Sequence, residues 1–259
     1  EDWSRTPAVY WTDYLILVVC VSCAAFAVYS RVGEKNWKAV VQQFVAYCVL
    51  LGLAFALSGA AHESLDDFYW AGNEPTTEWD EMDSTFKHFW LCSMALFPLA
   101  AVSIIGTAMA ASNAEEWAFP ALCALGVVAG VFQVVLVMMA QVEESAIVSC
   151  VFNLACMATV AVIVGSTYYT GSGAKEGRWQ IIAGMCIQMG GLLLVLCSPH
   201  GANNRYGYGA APQPVEGVFR RLQLIPEGWD LTLIFHVLVM VGVCFTCKGV
   251  VEVDKYSHY

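Results

Sequence analysis

The order of polar and apolar residues divides the chain into seven long apolar runs, near 9–30, 38–61, 86–111, 117–141, 145–169, 179–198 and 231–251. Each is long enough to cross a hydrocarbon layer of ~30 Å, which takes roughly 20 helical residues. The runs are continuously apolar rather than alternating, so they predict helices and not the strands of a barrel. A helix also satisfies its own backbone N–H and C=O groups where no water is present to do so. The pattern therefore predicts an all-α polytopic membrane protein, a seven-transmembrane-helix bundle forming a single domain over 1–259. Composition agrees: 58% hydrophobic residues, 13% charged residues and a mean hydropathy of +0.59 leave too little polar surface for a soluble globule of 259 residues.

Two of the polar connections are long. One, near 62–86, is acidic and aromatic, and the other, near 199–230, is rich in Gly, Pro, Asn and Tyr. Alternation of the runs puts both on the face that holds the N-terminus, here side O, and leaves shorter connections on the opposite face, side I. Structured loops gathered on one face of a rigid bundle are where binding or capping is usually built.

Charge gives the bundle a direction. Arg31, Lys35, Lys38, Lys175, Arg178, Lys248 and Lys255 fall on side I, seven of the twelve basic residues, while sixteen of the twenty-two acids fall on side O. The positive-inside rule then makes side I and the C-terminus cytoplasmic and the N-terminus extracellular or lumenal. A net-negative side O repels nucleic acid. The expected partners are membrane lipids and other membrane-protein subunits.

The cysteines lie inside apolar runs, with only Cys197, at the end of the sixth, near a loop; cysteine at such positions is usually a small apolar packing residue, and no disulfide framework follows. Cys244 and Cys247 spell C-x-x-C, but with no βαβ pattern beside them they too read as packing. Gln133, Asn153 and Gln188 read as hydrogen-bonding glue between helices.

Candidate chemistry gathers toward side O. Four of the five histidines, His62, His88, His200 and His236, fall near it, and His236 is read as the deepest ionisable group. An ionisable residue inside a membrane is costly enough to be a functional-site hypothesis. Ser58 and His62 are four residues apart and so share a helix face. If that face points inward, a hydroxyl, two imidazoles and a carboxylate from 66–83 meet at the outer end of the bundle. Such a set suits Zn²⁺, which takes neutral imidazole and carboxylate ligands and activates a bound water. A serine hydroxyl beside it can stabilise an oxyanion.

Ser58-x-x-x-His62 at the end of the second run, acids before the third, and His236 early in the seventh resemble the superfamily of alkaline ceramidases, adiponectin/progestin-type receptors and related transmembrane hydrolases. The resemblance implies a zinc-dependent lipid amide or ester hydrolase, or a lipid-binding relative that has lost activity. It implies Ser58 and Asp83 as catalytic residues and His62, His236 and Asp80 as metal ligands. The family's seventh helix carries His-x-x-x-His, whereas this chain has Thr232 and Met240 on either side of His236, so a ligand must come from elsewhere, His88 or His200. A retinal protein is not expected, because Lys248, at the side-I end, is the only lysine near the seventh run. The alternative is a non-catalytic integral subunit or scaffold. The G-x-x-x-G spacing of Gly126 and Gly130 and the tryptophans near the ends of the runs suit it, as they suit any bundle of this size.

Overall fold

In the computed structural model the described residues are 8–31, 39–70, 83–112, 118–139, 142–167, 175–197 and 231–256. They form seven helices and no strand: α1 (Ala8–Tyr29), α2 (Ala39–Trp70), α3 (Ser84–Ala111), α4 (Ala118–Met138), α5 (Val142–Ser166), α6 (Lys175–Cys197) and α7 (Leu231–Tyr256). Six of them, all but α6, are long and apolar enough to cross a membrane. The first turn of α6 carries Lys175, Glu176 and Arg178, and its interior carries Gln188, which lower its apolar content. The chain is a helical, multi-pass integral membrane protein.

Two helix ends differ from the sequence expectation. α2 runs on through residues 62–70, where the sequence predicts the start of a loop, because HESLDDFYW contains neither Gly nor Pro to stop it. Its outer extension is braced by a hydrogen bond from Tyr14 Oη to Glu63 Oε2 at 2.7 Å. The remainder of that acidic segment, 71–82, and the whole 199–230 loop lie outside the described residues. α7 continues to Tyr256 rather than ending near 251, and in its last turns Val253 and Asp254 are buried.

Consecutive helices run antiparallel, and the contacts close a ring in the order α1, α2, α3, α5, α6, α7 and back to α1, with α4 against the outside of α3 and α5. The core is a continuous cluster that includes Ile16, Phe44, Tyr47, Ile104, Val160, Met185 and Val243. Outward positions are apolar as well, for example Val128, Val131 and Phe132 on α4 and Val162 on α5, as expected of helices solvated by lipid. Trp11 on α1 and Trp179 on α6 are exposed at opposite ends of the bundle, where indole rings anchor at membrane interfaces.

Without a hydrophobic drive between helices in lipid, close packing must supply the adhesion, and small residues permit it. Gly126 and Gly130 of α4 do this against α3: a Cβ at Gly126 would lie 2.6 Å from Val102 Cγ2, and one at Gly130 would lie 2.9 Å from the Ala95 carbonyl oxygen. The tightest seam, α6 on α7, is built from glycines seven residues apart. A Cβ at Gly177 would stand 2.7 Å from the Gly249 carbonyl oxygen, and one at Gly184 would stand 2.6 Å from that of Gly242.

The ring closes where α1 meets α7, and these two helices are parallel. Their register is fixed at three depths: Thr12 and Asp13 against His236, Cys23 against Cys247, and Arg31 against Asp254. The sense of charge reverses between the ends. At side O the acid belongs to α1 and the imidazole to α7; at side I the base belongs to α1 and the acid to α7.

Two outcomes follow for stability in detergent. Gly242→Ala places a methyl 2.4 Å from Gln188 Cγ and should lower unfolding stability by about 1–3 kcal/mol, whereas Gly165→Ala, with nothing within 4 Å, should leave it unchanged. Arg31→Ala removes the base that faces the buried Asp254 carboxylate and should cost about 3–5 kcal/mol, while Arg31→Met combined with Asp254→Leu should recover most of that loss. Unfolding titrations in mixed micelles measure both. Equal midpoints for Arg31→Ala and the parent chain would contradict the ion pair.

Candidate functional site

The polar centre at side O is built on a residue the sequence reading passed over. Asp13 lies within the first apolar run, four residues into α1's spanning segment, at a depth matching that of His236 in α7. Its side chain is 0% exposed, and His236 is 4% exposed. Gly59 of α2 makes room for it, since a Cβ there would lie 3.0 Å from Asp13 Cβ and 3.2 Å from the Tyr10 carbonyl oxygen.

His236 is held from both sides of its ring. Thr12 Oγ1 lies 2.7 Å from Nδ1, and Asp13 Oδ1 lies 3.2 Å from Nε2. The second approach lacks hydrogen-bond alignment, so neither Asp13 oxygen accepts a hydrogen bond among the described residues. Phe55 of α2 meets the imidazole edge to face at 5.6 Å and 86°, and Phe235 flanks it at 5.5 Å. Two aromatic walls and a hydroxyl thus fix the ring plane, while a buried carboxylate faces its far nitrogen.

Phe55, Ser58 and His62 follow one another at three- and four-residue steps, so they share the face of α2 that Phe55 presents to His236. Ser58 is buried in that row, and His62, one turn further out, stands edge to face with Trp90 of α3 at 5.9 Å and 76°. The expected inward face of α2 is therefore present.

The other sequence candidates are placed differently. Asp83 caps α3, its Oδ2 accepting the Phe86 N–H at 2.9 Å. His88 is exposed, and its Nδ1 donates to the Ser84 carbonyl oxygen one turn back. Asp80, His200 and His258 lie outside the described residues. Among the described residues no group of three histidine, cysteine, aspartate or glutamate side chains is placed to hold a metal ion. His62, His236 and Asp13 thus do not by themselves compose the ligand set of a zinc centre, and both nitrogens of His236 already face oxygens of α1.

Deeper in the bundle, Tyr47 Oη donates to Gln188 Oε1 at 2.7 Å, joining α2 to α6 as glue of the expected kind. Asn153 instead donates to the Ser149 carbonyl oxygen within its own helix. Ten cysteines, all but Cys197, are free thiols.

Asp13 escaped the sequence reading because a single acid three residues from the edge of an apolar run looks like an interfacial residue. The available signal was its place beside Thr12 in a run that otherwise holds no charge before Arg31. Comparison of the chain with models of protein families, with curated proteins and with solved structures finds no match.

Proposed function

We propose that the chain is an integral membrane hydrolase that cleaves an amide or ester bond in a membrane lipid, with Thr12, His236 and Asp13 as its reacting group. The observation that carries this reading is the hydroxyl–imidazole–carboxylate order across one buried ring, 2.7 Å on one side and 3.2 Å on the other. Such a constellation is recognised by geometry and role rather than by sequence position.

Its chemistry follows from those contacts. Nδ1 of His236 takes the proton of the Thr12 hydroxyl as that oxygen attacks a carbonyl carbon, and later returns it to the leaving amine or alcohol. Asp13, facing Nε2 without a hydrogen bond to it, offsets the imidazolium charge that forms as Nδ1 takes the proton. Ser58 is the candidate donor to the developing oxyanion. Thr12 is half-buried rather than sealed, and the whole group sits about one helical turn inside the spanning segments. A carbonyl at the boundary between headgroup and acyl chain lies at that depth. No step requires a metal; if zinc is held, Asp80 or His200 would have to complete the ligand set begun by His62.

Cost also argues for a role beyond adhesion. An acid at the centre of a spanning helix costs about 2.5–3.5 kcal/mol, and one a turn from its end costs part of that, whereas a single neutral hydrogen bond such as Tyr47 to Gln188 joins two helices without that expense. A second reading, a non-catalytic membrane subunit, rests on one specific observation: Arg31 and Asp254 tie the same two helices at the other end. The Thr12–Asp13–His236 group is then the matching fastener.

Activity against a panel of lipid amides and esters, together with labelling by a lipid-chain fluorophosphonate, separates the two. Thr12→Val and His236→Gln should each reduce turnover by roughly 10²–10⁴-fold while the protein stays folded by circular dichroism, and Thr12→Val should abolish labelling. A folded parent chain that neither turns over nor labels sinks the hydrolase reading.

A further inference from the structure

The α1–α7 seam carries a second chemistry halfway down. Cys20 and Cys23 spell C-x-x-C on α1, and Cys244 and Cys247 spell C-x-x-C on α7. The parallel register sets these pairs level, with Cys247 Sγ 3.4 Å from the Cys23 carbonyl oxygen. The Cys23 thiol interacts with the thiols of both Cys247 and Cys244, and the Cys20 thiol interacts with that of Cys48 on α2. Five thiols of three helices therefore lie together in the spanning region, all of them free.

Two features distinguish this group from scattered packing cysteines. The first is access: Cys20, Cys23, Cys48 and Cys247 are buried, but Cys244 is exposed on the outer surface of α7. Its level in the span leaves it open to the lipid phase. The second is the environment of the buried sulfurs: α1 carries no acid or base between Asp13 and Arg31, and the one charged residue of α7 at that level, Lys248, is exposed like Cys244 one turn before it. Arg31 and Asp254 are about two turns below, and Asp13 and His236 are about two turns above. A bound cation with thiolate ligands would put charge into that layer. A disulfide is neutral and apolar, and the layer accepts it without cost.

We propose that Cys23 and the Cys244/Cys247 pair form a reversible dithiol–disulfide site within the membrane, oxidised by a lipid-soluble quinone. Cys244 is the sulfur the oxidant reaches. In the balanced step two S–H bonds break and one S–S bond forms between α1 and α7; two electrons and two protons pass to the quinone, which becomes the quinol. The bond fastens the first helix of the ring to the last, between the two polar ties that already join them. Thiol exchange by Cys247 then moves the link to the buried position. Cys20 and Cys48, with no exposed partner, stay reduced. This site stands independently of the hydrolase reading.

Peptide mapping of the full-length chain in lipid nanodiscs decides it. The protein is treated with a fully ring-substituted, short-chain benzoquinone, which cannot add thiols to its ring, its remaining thiols are alkylated, and it is digested. The expected result is a peptide from α1 joined to one from α7, two hydrogens lighter than the reduced pair and released by a reductant. Cys23→Ser should abolish the link, Cys244→Ser should slow its formation about tenfold, and Cys156→Ser on α5 should not alter it. Water-soluble oxidised glutathione should form the link far more slowly than the quinone does. Alkylation of Cys23, Cys244 and Cys247 in full after quinone treatment would overturn the proposal, as would a link confined to Cys20 and Cys48. Equal rates with glutathione and quinone would overturn the lipid-soluble oxidant.

Discussion

Ring closure between the first and last helices is the constraint on which the rest of the bundle depends. Every other neighbour in the ring is joined by proximity along the chain or by the α3–α5 contact, but α1 and α7 meet from opposite ends of the sequence. Parallel helices gain nothing from a short connecting turn, so their register must be set by side chains. Polar contacts do this at the two ends, and in lipid such contacts cannot be exchanged for water. Asp13 to Arg31 and His236 to Asp254 are both separations of eighteen residues, which is about 27 Å at roughly 1.5 Å of rise per residue, close to the thickness of the hydrocarbon core. A shift of α7 by one turn would break both ties together and leave four buried ionisable groups facing apolar carbon. The reversed sense of charge at the two ends also blocks the antiparallel alternative, in which acid would face acid at one end.

That closure explains why glycines rather than large apolar residues line the neighbouring seams. If α7 is held at a fixed height against α1, then α6 must fit what remains, and the paired Gly177/Gly249 and Gly184/Gly242 contacts bring two backbones within reach of each other's carbonyls. Gly52 and Gly59 perform the same service between α2 and α1. The second of these makes room for Asp13, so adhesion and the candidate chemistry share a residue. The polar group at side O can be a reacting centre because the ring fixes it. Its three members come from two helices that cannot slide, against an aromatic wall from a third.

The fold was legible in the sequence because a membrane-spanning helix needs only length and apolarity, and both are properties of a local window. Six of the seven runs meet those two tests, and α6 shows the limit of the method, since its first-turn charges and its glycines answer to α7 rather than to lipid. Helix ends were less legible. Nothing local in 62–70 forbids a loop, but the Tyr14–Glu63 contact holds those residues to α1 as helix. Ser58, His62 and His236 stand out in the sequence because histidine and a four-residue spacing are visible in one dimension. Asp83 and His88 were also visible, yet their partners prove to be Phe86 and Ser84 of their own helix turn.

What the sequence determined by itself was the medium and the places of the long apolar helices, since burial in lipid makes every spanning residue declare its polarity. Tertiary structure alone decided which polar residues meet. Asp13 and His236 are 223 positions apart, and their contact depends on a common depth in two helices whose register is set by a second contact at the far end. Polarity is a property of one residue, whereas register is a property of a pair. No window along the chain contains both members of that pair.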